Sequence, residues 1–395
     1  MLELTRIDRI RGSLIGLAIG DALGAPLEGL SAQQIRAHYG QVEDFVDGCR
    51  AWKRKPYRWR MPGLYSDDTQ QALSLCDVLL EFGHVDPYRL AEIYLALAHP
   101  KGSYVGAHRG VGRSFRQVLI DLENGQAPTR TGQLSAGIGA AMRIAPVALY
   151  YQADEVDAIF DAVMAASLMT HRDVRSLTGA FAVVHAVRHL ADARKCEPSL
   201  LFQIAADVKR DEERMVERFP EVAFAEIHRF SLSTAIAHTE SLLDMPRERA
   251  YAALVEEANR HGAEPQCKRP TMGFPPACIP TCLYVLMTTD SLEEAITEII
   301  NLGGDADSAG AILGAMAGAH YGVGEIPARW LLRLQNRDGI DARASALHAR
   351  SIEGLEISDL VDREHELSAQ ENAYREGLLA HSQSGEDMGA NSNRF

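Results

Sequence analysis

Apolar residues recur along most of this chain with a period near 3.6, and the strict alternation of a half-buried strand is nearly absent. The pattern therefore predicts an all-α fold. Ile7, Ile10, Leu14 and Leu17 mark an amphipathic first helix. After Ser66, the positions Ala72, Leu75, Cys76, Leu79 and Leu80 share one helix face that ends at Gly83. Ser291 and Glu294 form a capping box ahead of Leu292, Ala295, Ile296, Ile299 and Ile300, with Gly303 and Gly304 as the stop signal. The next helix begins near Asp307 and carries Gly310, Gly314 and Gly318 at every fourth position. Because an interior glycine costs about 1 kcal/mol relative to alanine, that stripe predicts a close central contact between helices.

No repeat or linker divides residues 1–380, which read as one domain. The charge-rich stretch near 196–222, with Lys209, Arg210, Asp211, Glu212, Glu213 and Arg214, reads as an exposed helix or an insertion. Residues 381–395, rich in Ser, Gly, Asn and charge, read as a disordered tail. With 395 residues and 46% hydrophobic content, the chain can bury a substantial core. Its 40 basic and 54 acidic side chains leave a formal charge of −14, which disfavours nucleic-acid binding through a basic surface. An anionic substrate would need metal ions or backbone N–H groups to offset its charge.

The cysteines at 49, 76, 196, 267, 278 and 282 form no CxxC pair and read as reduced, buried thiols of a cytoplasmic protein. Arg6, Arg9 and Arg11 before the apolar run Ser13 to Gly20 imitate a signal peptide, but Asp8 and Asp21 bracket that run and its helical spacing favours a first helix. No uninterrupted apolar stretch reaches spanning length, so no membrane helix is expected.

Two acidic clusters stand at predicted helix starts: Ser66-Asp67-Asp68-Thr69 and Gly303-Gly304-Asp305-Ala306-Asp307-Ser308. Taken singly, each is accounted for by helix capping, since Ser, Asp and Thr suit N-termini. Taken together they offer several hard oxygen donors, which suit Mg²⁺ or Mn²⁺ rather than zinc. If the two starts meet, cations would relieve the repulsion among four carboxylates and leave coordination positions for water and substrate hydroxyls.

With Gly20-Asp21-Ala22-Leu23-Gly24-Ala25-Pro26-Leu27-Glu28, Gly139-Ala140-Ala141-Met142-Arg143 and Thr170-His171, these clusters form an ordered series across about residues 8 to 331. The series resembles the motifs of the ADP-ribosylglycohydrolase family. That resemblance implies a compact orthogonal helical bundle with a central binuclear metal cleft, holding two Mg²⁺ ions, with Mn²⁺ as the alternative. It implies hydrolysis of the glycosidic bond between ADP-ribose and an acceptor on an ADP-ribosylated protein or small molecule, such as arginine or serine. By position the metal ligands would be Ser66, Asp67, Asp68, Asp305, Asp307 and Ser308; relatives often carry threonine where this chain has Ser66 and Ser308.

The resemblance gives Glu28 the place of an acidic residue on a mobile flap, a candidate for proton transfer or for a gate that the ligand displaces, with Asp67 and Asp305 as the other catalytic carboxylates. Asp21 is expected to be structural or to support the ligands from behind them, fixing the start of the loop that carries Glu28. It places Gly110, Gly112 and Ser114, then Ser135, Gly137 and Gly139, near the ligand, where glycine permits close approach of backbone N–H groups to a pyrophosphate. It also places His171 against the diphosphate or ribose. Arg143 is expected to be a buried cation pairing with a carboxylate of the centre. Ile138 stands where relatives commonly carry asparagine, and it offers no polar contact to a ribose or phosphate. Two other classes stay open: a member of the fold that binds a nucleotide-like ligand or serves structurally without turnover, and a two-metal phosphohydrolase releasing free phosphate.

Overall fold

Thr5 and Asp8 open the first helix with a reciprocal cap, in which the Thr5 hydroxyl accepts from Asp8 N–H and the Asp8 carboxylate from Thr5 N–H. From there the computed structural model describes residues 4–100, 106–192, 195–219, 231–354 and 358–383. The helices are α1 (Arg6–Gly24), α2 (Ala32–Tyr39), α3 (Asp67–Phe82), α4 (Pro87–Ala98), α5 (Arg113–Glu123), α6 (Gly139–Met142), α7 (Ala145–Tyr150), α8 (Val156–Leu168) and α9 (Val174–Asp192). They continue with α10 (Ser199–Arg218), α11 (Leu232–His238), α12 (Arg247–Arg260), α13 (Pro275–Met287), α14 (Leu292–Asn301), α15 (Ala306–Tyr321), α16 (Ala328–Arg333), α17 (Arg337–Ala349) and α18 (Leu360–Gln383). Among the described residues there is no β-strand, only isolated bridges pairing Ser31 with Gly303 and Gln133 with His171. The fold is all-α, as the periodicity predicts.

The glycine stripe of α15 meets a matching stripe on α1. A Cβ added at Gly12 would lie 2.3 Å from the Gly318 carbonyl oxygen, one at Gly16 2.3 Å from that of Gly314, and one at Gly20 1.9 Å from that of Gly310. The two helices thus run antiparallel with their backbones in contact, a separation that only residues without a side chain permit. Ser13 adds a hydrogen bond from its hydroxyl to the Ala315 carbonyl at 2.9 Å. The first helix is consequently not amphipathic: every residue from Gly12 to Gly24 is buried, because α1 is a central element wrapped by other helices. It is also the described helix whose length and apolarity would suit a membrane span, and here the rest of the chain buries it.

Three other expectations are modified. Ser291 caps α14 through its hydroxyl, but Glu294 reaches Asp290 N–H instead of Ser291, so the box forms only in part. The charge-rich stretch is the amphipathic helix α10, which buries Leu201, Ile204, Val208 and Met215 together with Asp211 and Glu212; residues 220–222 lie outside the described residues. Helix α18 continues through Gln383, so the expected tail cannot begin at 381, and residues 384–395 lie outside the described residues. The cysteines are all free, and all but Cys196 are buried.

Gly16→Val, which would drive a branched side chain into the α15 backbone, is expected to lower the unfolding free energy by about 3 kcal/mol. Gly377→Ala in α18, exposed and with no heavy atom within 4 Å of the new Cβ, is expected to raise it by about 0.5–1 kcal/mol. Urea titration of both variants measures these shifts, and a Gly16→Val protein as stable as the wild type would contradict the close contact.

Candidate active site

Both acidic clusters begin helices, and in neither does the first residue cap its own helix. Ser66 and Asp305 occupy the N-cap positions of α3 and α15, yet neither side chain accepts from its first-turn N–H groups. At α3 that work is done from across the core by Asp21 of α1, whose carboxylate accepts from Ser66 N–H at 2.8 Å, Thr69 N–H at 3.0 Å and the Thr69 hydroxyl at 2.6 Å. Asp21 is thus structural, as expected, although it secures α3 rather than the loop after α1. The Ser66 hydroxyl is left to donate to Asp68 at 3.1 Å, and Asp305 is held through its backbone, its N–H donating to the Thr271 carbonyl at 2.8 Å.

The two starts adjoin. Burial, reinforced by the charges of Asp21, Asp67 and Asp305, holds the Asp68 carboxyl well above the usual carboxylate range, while the Ser308 hydroxyl works the other way. Asp307 is raised by burial and then by Glu28, Asp305 and Asp68. Burial, with Asp21 and Glu28 adding to it, pushes Asp67 up to about 8, and Asp305 is raised by burial and by Glu28. One oxygen of Asp68 is buried without a hydrogen-bond partner. The chemistry of the set would suit a hard cation: all its donors are oxygen, only Asp307 is turned on its own helix, accepting from Ser308 N–H at 3.1 Å, and a bound ion would offset the cost of ionising the buried aspartates. The donors are spread over two helix starts, and among the described residues no three His, Cys, Asp or Glu side chains close into a preformed chelate.

Glu28 follows the short 3-10 turn Ala25–Leu27 after α1. It reaches the aspartates because its loop is stitched to the loop before α15: Gly29 N–H donates to the Gly304 carbonyl at 2.7 Å and Gly304 N–H to the Leu30 carbonyl at 2.8 Å. Gly303 and Gly304 have φ of 70° and 77°, values that favour glycine, and this turn is what lets the two loops meet. The half-buried Glu28 carboxylate accepts from Arg58 at 2.8 Å, and the Arg58 guanidinium lies over the Trp52 ring.

The expected ligand-binding residues divide into groups. Gly110 abuts the acids, since a Cβ there would lie 3.0 Å from Asp67 Oδ1. Gly112 is exposed at the N-cap of α5 and Ser114 lies in its first turn; no contact among the described residues brings either against the aspartates. Ser135, Gly137, Gly139 and His171 form one assembly: the Ser135 hydroxyl accepts from Gly137 N–H at 3.3 Å, and Cβ atoms added at Gly137 and Gly139 would lie 3.5 and 3.3 Å from His171 Nε2. His171 is buried, and burial with the neighbouring Arg143 charge pushes its pKa down to about 3, so the ring is neutral.

Arg143 does not pair with a carboxylate directly. It donates to Gln71 at 2.6 Å, and Gln71 donates to Asp67 at 2.9 Å. Its other amino group donates to Thr170 Oγ1 at 2.5 Å, 2.8 Å from His171 Nδ1. A short relay therefore joins the acidic end of the site to the histidine end. Ile138 is in the hydrophobic core, which accounts for an apolar residue there. Sequence reasoning took Thr69 only as part of its acidic cluster, without its bond to Asp21, and missed Gln71, Arg58, Thr271 and Gly273, the last packed so closely on Asp305 that a Cβ would lie 2.2 Å from Oδ2. Of these, Thr69 and Gln71 had a signal, their spacing from the acidic pair on one helix; the rest come from remote loops.

An all-helical scaffold with two acidic helix starts set beside a glycine loop and a neutral histidine defines the class. The chain belongs to the ADP-ribosylglycohydrolase family, whose model matches residues 2–355, and membership supports hydrolysis of ADP-ribose linkages. It is 30% identical over 343 residues to an uncharacterized protein of Archaeoglobus fulgidus, covering 86% of this chain and 96% of the other. It is 26% identical to the ADP-ribosyl-[dinitrogen reductase] glycohydrolase of Rhodospirillum rubrum over 88% of this chain and 98% of that one. A solved structure described as an ADP-ribosylglycohydrolase-related protein complex superposes with a TM-score of 0.62 at 27% identity, over 88% of this chain and 99% of that chain.

Because the folded pKa of His171 lies below its unfolded value, the stability it contributes is present above pH 6.5 and is lost as pH falls toward 3. Between pH 7 and pH 5 a His171→Gln protein in EDTA is expected to lose about 2 kcal/mol less stability than the wild type. Urea midpoints at the two pH values measure the difference; equal losses would mean that the ring takes up its proton while still folded.

Proposed function

We propose that this chain is an ADP-ribosyl glycohydrolase that uses two Mg²⁺ ions, or Mn²⁺ in their place, to cleave the glycosidic bond between ADP-ribose and an acceptor such as arginine, serine or a small molecule. The observation that supports it best is the meeting of residues 67–68 with residues 305–308, with the Ser66 and Asp305 side chains withheld from capping their own helices. Ser66, Asp67, Asp68, Asp305, Asp307 and Ser308 are the residues that would hold the ions. When bound, the ions would neutralise the aspartates, orient ribose hydroxyls and lower the pKa of a water toward neutrality.

The remaining work falls to the protein. Glu28, whose charge is felt by Asp67, Asp305 and Asp307, takes a proton from the attacking water once Arg58 releases it. The water oxygen joins the anomeric carbon as the acceptor departs with the bonding pair, and the proton from Glu28 returns to the acceptor. Neutral His171, with Nδ1 engaged by Thr170, offers Nε2–H to a phosphate oxygen, and the backbone around Gly137 and Gly139 lies close enough to do the same.

Asp305→Ala is expected to abolish release of ADP-ribose from ADP-ribosylated arginine and serine peptides and to remove the rise in Tm on adding Mg²⁺. Glu28→Gln should lower kcat by about 10²–10⁴-fold while Mn²⁺ uptake persists. Chromatography of products from a panel of acceptors, with calorimetric Mn²⁺ titration, checks both. Free phosphate as the product, or undiminished turnover by Asp305→Ala in EDTA, would overturn the assignment.

A further inference from the structure

Helix α18 lies beyond residue 355, where the family match ends, yet it carries a carboxylate that no exposed helix would need. Glu364 is fully buried. It accepts from the Tyr65 hydroxyl at 2.5 Å, from Gln70 Nε2 at 2.8 Å and from the Arg109 guanidinium. Tyr65 immediately precedes the Ser66–Asp68 cluster, Gln70 follows it within the first turn of α3, and Arg109 precedes Gly110, the residue packed on Asp67. The three partners are also tied to one another, since Arg109 N–H donates to Gln70 Oε1 at 3.0 Å and Arg109 Nε to the Tyr65 carbonyl at 3.0 Å. One helical turn further, Ser368 accepts from Arg109 at 2.8 Å and donates to the Ala107 carbonyl at 2.8 Å. Glu371 lies 3.8 Å from Arg60, a cation beside Asp67.

The geometry points to Glu364 as a positioning residue: α18 acts as a strap whose buried carboxylate fixes the start of α3 and the Arg109–Gly110 turn, and thereby sets the spacing of the candidate ion ligands. A buried carboxylate with three donors cannot shift without leaving charge unpaired, so the segments it joins move together or not at all. Asp21 holds the same helix start from the α1 side. The Ser66–Asp68 segment is therefore clamped between a carboxylate from each end of the described chain. The effect on ion binding rests on the metal reading proposed above, whereas the effect on the segment does not.

The test uses the full chain carrying Glu364→Gln, which preserves size but removes the charge. The comparison is Asp77→Asn, which weakens the Asp77–Arg343 pair at 2.7 Å between α3 and α17, farther along α3. In metal-free protein, amide hydrogen exchange within residues 64–71 and 107–112 should quicken at least tenfold in Glu364→Gln and stay near the wild-type rate in Asp77→Asn, even where both lose similar Tm. Calorimetric titration with Mn²⁺ alone should show at least tenfold weaker uptake by Glu364→Gln only. Wild-type exchange in both segments of Glu364→Gln, equal changes in the two variants, or quickened exchange with unaltered Mn²⁺ affinity would overturn the inference. Quickened exchange in a protein whose wild type takes up no Mn²⁺ would leave the strap standing and sink the metal reading instead.

Discussion

The contact on which the rest depends is the backbone-to-backbone packing of α1 against α15. Because Gly12, Gly16 and Gly20 oppose Gly318, Gly314 and Gly310 in antiparallel register, the end of α1 must arrive at the beginning of α15. That one alignment carries the loop with Glu28 to the loop with Gly303 and Gly304, and it sets Asp21 where it can accept from the first N–H groups of α3. Each glycine costs conformational freedom in a helix, and the close approach offsets that cost by burying both helices through the centre of the core. The site is therefore assembled by this backbone-to-backbone contact, with loops serving as short extensions of it.

A second constraint is electrostatic. Asp21, Asp67, Asp68, Asp305 and Asp307 share one buried region, and burial alone raises every one of them. Two solutions coexist in that region. Asp21 is satisfied internally by two N–H groups and a hydroxyl, so it is spent on structure, while Asp68 retains an unpartnered oxygen. The division separates aspartates that build the frame from those left with capacity for an external cation.

Much of this was legible in the sequence, and what was not has physical reasons. The period of 3.6, the glycines at every fourth position of α15 and the stop at Gly303-Gly304 each report local backbone requirements, so α3, α14 and α15 could be placed before any coordinates. The burial of α1 on all sides was missed because the partner stripe on α1 lay among residues whose apolar spacing also fits a surface helix. The acidic clusters were visible as residue types, but their capping reading could be set aside only once Asp21 was seen capping α3 in place of Ser66. Arg143 was rightly expected to be buried, yet its link to Asp67 runs through Gln71, a partner that no spacing rule selects. Glu364 was unreadable altogether: its three partners lie about 255 to 299 positions away in the chain, and in isolation it is one acidic residue in a polar helix.

The relay from Asp67 through Gln71, Arg143 and Thr170 to His171 gives the site a polarity that suits the proposed substrate. At one end are carboxylates that favour cations and, with them, sugar hydroxyls; at the other is a neutral imidazole beside a glycine loop, where the nearby Asp173 carboxylate is paired with Arg175. Arg143, the buried cation between them, has its amino groups committed to Gln71, Ala166 and Thr170. It therefore holds both ends in place and, by its charge, helps keep His171 unprotonated. A protonated His171 beside a fixed guanidinium would repel it and loosen the Thr170 bond that orients the ring. Neutrality of the histidine is thus part of what keeps the two ends in register, and under the proposed function the hydrogen-bond donors at that end would let a chain with a net charge of −14 receive an anionic ligand without a basic surface.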